Sequence, residues 1–322
     1  MIRRGPRDRR MGHLPDRVRM EDSVQEILLF ANPISGLGRG KAIATFLSQG
    51  LVRASYGVRA FLDSPEKIPI DRIRSGQPAV AAIVIGGDGT LRSVAERLFQ
   101  AFNALAIPPL VVVPLGTANL MAKHLGIDWH GSTAAAKIIA AIAHRKVVHL
   151  DACRANGQLF LLMAGVGMDG HIIHELDRVR DGPIDLASYV LPVALAMQKY
   201  TYPPIRVEVD GDRIFGPAPG MAFIANAPEY GIGFPILPHA SSDDGLLDVC
   251  ALPCKSRAQM LDLLLRAASG EHLDVEGARY LKGIHVRVDA DEPIPVQVDG
   301  EAGGFTPLEV ELLPVKVPFI VP

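Results

Sequence analysis

Apolar residues in the first half of the chain fall into short unbroken runs separated by stretches with helical spacing. Residues 27–31, 58–62, 80–85 and 110–113 read as buried strands. Helical spacing fills the intervals at 41–49, 91–102 and 118–125, and continues at 133–143. After residue 90, for example, Leu91, Val94, Ala95 and Leu98 recur on one helix face. This βαβα alternation predicts a parallel sheet covered by helices on both faces. Beyond Leu150 short strands with glycine and proline punctuation take over, at 147–153, 159–164, 205–209, 221–226, 246–252, 284–288, 295–298 and 308–312. They predict an antiparallel sandwich or barrel, interrupted by helices at 186–199 and 257–268. The expected organisation is a basic tail (1–24), an α/β domain (25–145) and a β-rich domain (146–322).

Ligands of parallel α/β sheets collect beyond the carboxyl ends of the strands. Three glycine-containing turns lie there: Asn32-Pro33-Ile34-Ser35-Gly36, Gly86-Gly87-Asp88-Gly89-Thr90 and Pro114-Leu115-Gly116-Thr117-Ala118-Asn119. Glycine lets backbone N–H groups approach a ligand closely, and a helix N-terminus adds free donors and partial positive charge. Such turns suit phosphate. Asp88 in the second turn does not, because a carboxylate repels phosphate; beside one it would deprotonate an attacking hydroxyl or act through Mg²⁺. The competing reading makes Asp88 or Thr90 the cap of the following helix, and Thr117 and Asn119 the caps of the next. The run from Ser35 to Ala42 is not a Walker A loop: only three residues separate Gly36 from Gly40-Lys41, and Ala42 has no hydroxyl for Mg²⁺.

Two acidic motifs lie in the second half. Asp243-Asp244-Gly245-Leu246-Leu247-Asp248 sets adjacent carboxylates before a strand, as a cation anchor or a plain turn. Asp299-Gly300-Glu301 follows the strand 295–298, where Asp-Gly is also a common hairpin turn. Gly165-Val166-Gly167-Met168-Asp169-Gly170 is a further glycine-rich strand end suited to lining a cleft.

Composition removes several alternatives. A net charge of -2 gives no reason to expect a nucleic-acid partner. Three cysteines are too few for a disulfide framework, which suits a reducing cytosol, and the ten histidines show no metal-ligand spacing. No apolar stretch reaches the ~18 residues that span a bilayer. The arginine-rich start (Arg3, Arg4, Arg7, Arg9, Arg10, Arg17, Arg19) lacks the apolar core of a signal peptide and reads as a disordered tail or a tether to anionic lipid.

Taken in order, these motifs resemble the diacylglycerol kinase catalytic family, which includes sphingosine kinases and YegS-like bacterial lipid kinases. The resemblance runs from about residue 27 to 313 and rests on Asn32-Pro33-Ile34-Ser35-Gly36, Gly86–Thr90, Gly116–Asn119, Asp243–Asp248 and Val298–Glu301. It implies a phosphofructokinase-like α/β domain and a β-rich lipid-substrate domain with ATP between them. It also implies transfer of the γ-phosphoryl group to a lipid hydroxyl, with Mg²⁺. By the resemblance Asn32, Ser35, Gly36, Gly86, Gly87, Asp88, Gly89, Thr90, Gly116, Thr117 and Asn119 line the nucleotide. Asp243 and Asp244 belong to a Mg²⁺-linked acidic network, and Asp299 and Glu301 lie near the acceptor hydroxyl. The family assigns the general base to either acid motif; here Asp299 is taken as base, with Asp88 orienting nucleotide and Mg²⁺. Ala118 stands where many members have glycine, which points to a bacterial subgroup. The implied setting is cytoplasmic and peripheral to a membrane surface holding the lipid substrate, with a homodimer left open. An NAD kinase and a non-catalytic nucleotide- or lipid-binding regulator are the alternatives.

Overall fold

The computed structural model describes residues 24–33, 36, 38–102, 106–129, 131–178, 190–228 and 235–322. The basic tail up to residue 23, Ser35 and residues 186–189 of the expected helix lie outside them.

The first half alternates β1 (Glu26–Ala31), α1 (Gly40–Arg53), β2 (Gly57–Phe61), α2 (Ile70–Arg74), β3 (Ala79–Gly86), α3 (Asp88–Ala101), β4 (Leu110–Pro114), α4 (Leu120–His124) and α5 (Ala134–His144). The strands pair in parallel in the order β2-β1-β3-β4. β1, β3 and β4 are almost wholly buried, as expected of parallel strands covered on both faces. Their side chains share one core with Leu47 and Leu51 of α1, Leu91 and Leu98 of α3, and Ile138 of α5.

The second half comprises β5 (Val147–Ala155), β6 (Gln158–Phe160), β7 (Met163–Val166), α6 (Met168–Arg178), α7 (Val190–Lys199), β8 (Pro204–Val209), β9 (Asp212–Ala225) and β10 (Leu247–Pro253). It continues with α8 (Arg257–Ser269), β11 (Arg279–Gly283), β12 (His285–Ala290), β13 (Pro295–Val298), β14 (Glu301–Phe305) and β15 (Leu308–Ile320). Its pairings are antiparallel; long β9 pairs with β8 along its first half and, along its second, with β7 on one edge and β10 on the other. Val207, Val286 and Val310 meet Ile224, Val249 and Val296 in a core between two layers. The expected parallel sheet followed by an antiparallel sandwich is the observed arrangement.

Two details depart from the pattern. The single strand expected at 159–164 is two, β6 and β7, because the backbone N–H groups between them leave the ladder for a side chain described below. The expected division at residue 145 is crossed by β15, which pairs with β12, β5 and, in parallel, β4. Its residues Val317, Phe319 and Ile320 are buried in the core of the first half. Among the described residues no helix is long and apolar enough to cross a membrane.

Candidate active site

The three glycine-containing turns meet at the carboxyl ends of β1, β3 and β4. Gly87 and Gly116 approach backbone to backbone: a Cβ on Gly116 would lie 2.6 Å from the Gly87 Cα. The Leu115 N–H donates to the Gly86 carbonyl at 2.9 Å, and the Leu115 side chain fills the space beside Gly36. A Cβ on Gly40 would meet the Asn32 carbonyl at 2.7 Å. Asn32, Gly36, Gly86–Thr90 and Gly116–Asn119 therefore form one floor, with the half-buried first turn of α3 at its centre. The backbone N–H groups of that turn have no intrahelical acceptors and face anionic ligands well.

Within this floor the polar side chains hold loops. Asn119, at φ 50°, accepts from the Gly116 N–H and donates to the Gly116 carbonyl, both at 2.8 Å. The Asp88 carboxylate accepts from the Leu120 N–H at 2.9 Å and the Met121 N–H at 3.0 Å. Asp88 thus caps not its own helix but α4, and ties the second turn to the third. Replacing it with alanine should cost about 2 kcal/mol of unfolding free energy in urea titrations, the scale of a charge-assisted cap.

The second acid motif faces this floor. Asp299 and Gly300, with φ 49° and 79°, form the two-residue turn of the β13–β14 hairpin, the geometry that favours Asp-Gly. The Asp299 carboxylate accepts three backbone N–H bonds, from Leu161 at 2.9 Å, Leu162 at 2.9 Å and Met163 at 3.0 Å. These are the donors that leave the strand ladder and split β6 from β7. Burial pushes the Asp299 carboxyl up to about 6, against the opposing pull of the three N–H donors and the nearby Arg92 charge. A folded value above that of the unfolded chain means the native state holds the extra proton between about pH 4 and 6. The stability this proton adds is complete below about pH 4 and is lost as pH rises through about 6, some 3 kcal/mol in all. Urea titrations of the wild type and Asp299→Asn from pH 4 to 7 should show that difference fade over this window.

Glu301 reaches further toward the floor. It pairs with the guanidinium of Arg92, a buried residue on α3 one helical turn beyond Asp88, and a Cβ on Gly89 would collide with the Glu301 carboxylate. The phosphate-type turn and the second acid motif are in contact through these residues.

The 243–248 loop is closed by lysines. Asp244 pairs with Lys282 at 2.7 Å, which also lies 3.3 Å from the buried Asp248. Asp243 accepts from the Ser241 hydroxyl, while its carbonyl accepts from Lys316 at 2.6 Å. Lys316 pairs in turn with Asp151, whose other oxygen accepts from the Gly245 N–H. Among the described residues no three His, Cys, Asp or Glu side chains converge on a metal position. The two acids named for Mg²⁺ turn to different partners: the Asp244 carboxylate meets the Lys282 ammonium, and the Asp243 carboxylate meets the Ser241 hydroxyl. The loop meets α4 where Ser242 and His124 lie 2.7 Å apart. Tyr280, which donates to Asp248 at 2.7 Å, should cost about 1.5–3 kcal/mol when changed to Phe, read by chemical denaturation.

Sequence reasoning missed Arg92, Lys282, Lys316 and Asp151. Arg92 had a signal: it stands four residues from both Asp88 and Glu96, so the three share one face of the helix. The lysines had none, since β11 and β15 bring them from far along the chain.

Comparison with known proteins gives the family and the fold. Residues 26–155 match the family profile of the diacylglycerol kinase catalytic domain, and residues 163–321 that of the YegS C-terminal NAD kinase beta sandwich-like domain. The chain is 28% identical to a Bacillus subtilis diacylglycerol kinase over 228 residues, 70% of this chain and 73% of the relative. It is 26% identical to a Mycobacterium tuberculosis diacylglycerol kinase over 245 residues, 75% and 77% of the two chains. Among solved structures, a diacylglycerol kinase from Bacillus anthracis superposes with a TM-score of 0.65 at 20% identity, over 92% of this chain and 97% of that one. That likeness is one of fold.

Proposed function

The chain belongs to the diacylglycerol kinase catalytic family with a YegS-like C-terminal domain, and we propose that it is a lipid kinase, transferring the γ-phosphoryl group of ATP to a lipid hydroxyl. One observation carries the reading: the glycine-rich turn at the start of α3 and the Asp299–Glu301 turn are joined through Gly89, Arg92 and Glu301. Phosphoryl transfer needs such a pairing, with donors to cradle phosphate and a carboxylate to relieve the attacking hydroxyl of its proton. In this reading the N–H groups of the α3 first turn and the Gly116 turn hold the nucleotide phosphates. Mg²⁺ bound to the nucleotide would supply positive charge to offset that of the phosphates. The lipid oxygen forms its bond to the γ-phosphorus as the bond to ADP breaks, and its proton passes to Asp299. Three of the roughly four lone-pair positions of that carboxylate are taken by N–H groups, which leaves one for the proton. Its value of about 6 suits a base working near neutrality. The lipid is met at a membrane surface to which the protein binds peripherally.

A second assignment has its own support. The Glu301 side chain is 42% exposed and lies beside Gly89, so it is the more accessible of the two carboxylates. If Glu301 takes the proton, Asp299 is the anchor of the hairpin that aims it.

The test is transfer of label from γ-labelled ATP to a total lipid extract with Mg²⁺, with NAD offered in parallel. A labelled lipid whose formation depends on Asp299 and Glu301 supports the proposal and identifies the acceptor by its mobility. Labelled NADP without labelled lipid would replace it with an NAD kinase, and nucleotide binding without transfer to either would leave a binding protein.

A further inference from the structure

Arg92 is the one buried cation at the seam between the α3 turn and the hairpin turn among the described residues. Its side chain is 10% exposed, its guanidinium pairs with Glu301, and the Gln158 amide oxygen, turned toward it, accepts from the same group. An arginine stays charged at any working pH and presents several donors in a rigid fork. Here the fork is held from one side by Gln158 at the start of β6 and from the other by Glu301 at the start of β14. β6 runs directly into the segment 161–163 that binds Asp299, and β14 follows directly after the Asp299–Gly300 turn.

Resting on the lipid kinase reading, we propose that Arg92 is a positioning residue for phosphoryl transfer, pinning the Asp299–Glu301 turn against the phosphate turn of α3. Burial of the Asp299 carboxyl, beside the Glu301 that Arg92 pairs with, favours its protonation. One guanidinium beside the pair offsets it and keeps Asp299 ionised at lower pH than burial alone would permit. The other titratable groups bearing on Asp299 do not supply this. Cys153 on β5 is an uncharged buried thiol, held so by burial and by the nearby Asp151 and Asp299. Asp151 is itself paired with Lys316. Arg92 also stands on the same helix as Asp88, so it links the nucleotide side of the cleft to the acceptor side through one rigid element.

The experiment compares Arg92→Gln and Arg92→Lys with the wild type in two readouts. In the first, the pH dependence of kcat/KM for lipid phosphorylation should show its acid limb roughly one pH unit higher in Arg92→Gln. The loss should be tenfold or more near pH 6.5 and small near pH 8.5, with Arg92→Lys restoring most of it. A limb that stays in place, with activity lowered equally at all pH values, would overturn the proposal. The second readout needs no lipid: the stability difference between each protein and its Asp299→Asn version, followed by urea titration from pH 4 to 8. Its midpoint should move upward by the same amount in Arg92→Gln, and an unmoved midpoint counts against the proposal. If the wild type phosphorylates no lipid, the kinase reading fails while this second readout still decides what Arg92 does to Asp299. Should Arg92→Gln not fold, a limb in Arg92→Lys identical to the wild type at full activity supports the charge as the working element, and a displaced limb there argues against it.

Discussion

Asp299→Asn is expected to lower lipid phosphorylation by 10²–10⁴-fold, the range for removal of a general base, with the protein still folded. Asparagine keeps the size of the side chain and one carbonyl oxygen for the Leu162 and Met163 N–H groups. Its amide nitrogen would face the Leu161 N–H in place of an acceptor, which costs about 1–3 kcal/mol. Relief of the buried charge above about pH 6 offsets much of that cost. Activity and stability should therefore separate, and a denaturation curve taken beside the kinetics checks it. Glu301→Gln gives the contrast. With Asp299 as base, the acid limb near pH 6 persists in Glu301→Gln at reduced turnover; with Glu301 as base, Glu301→Gln shows the larger loss and Asp299→Asn the larger drop in stability. Wild-type rates in both variants would exclude the turn from the chemistry.

The second large effect is expected at Gly116. An alanine there places its methyl 2.6 Å from the Gly87 Cα and 2.9 Å from the Asn119 Oδ1, and the first of these neighbours is backbone that no rotamer change can clear. The third turn must move away from the second. That motion breaks the Asn119 closure and pulls Leu120 and Met121 from Asp88. Overpacking of this kind costs about 1–3 kcal/mol in stability. The loss in ATP affinity should be tenfold or more, measured by calorimetry, because the floor loses its shape. Unchanged ATP affinity in Gly116→Ala would remove the third turn from the nucleotide site.

The first-half strands were legible because each is a continuous apolar run, and the helices because their apolar spacing was clean. The three turns could be placed at strand ends for the same reason. What sequence could not give was where polar side chains would turn. Asp88 stands in a motif that suggests phosphate chemistry, yet its oxygens serve the N–H groups of a helix 32 residues away. Apolar content at 159–164 reads as one strand, and only the distant Asp299 reveals that three N–H groups in it have another acceptor. The glycine-rich stretch before Asp169 hid the start of α6, since Gly170 occupies its first turn, tight against the Pro295 carbonyl. The first half of β9 was hidden in the same way, by Gly216, Pro217, Pro219 and Gly220, residues that seldom mark a strand interior. Nor could the 243–248 motif show that Asp244 would meet Lys282 of β11, or that the Asp243 carbonyl would meet Lys316 of β15.

The course of β15 sets an order on synthesis. Domains of a growing chain generally fold as they emerge, the N-terminal one first. Here the nucleotide-side sheet cannot close its core until Val317, Phe319 and Ile320 have been made, just over two hundred residues after the last of its own parallel strands. Until then the edge of β4 is an open strand template, the kind of surface that recruits other chains. The ribosome-bound chain thus carries that open edge until β15 has been made. A fragment carrying only the phosphate turns would keep that exposure permanently.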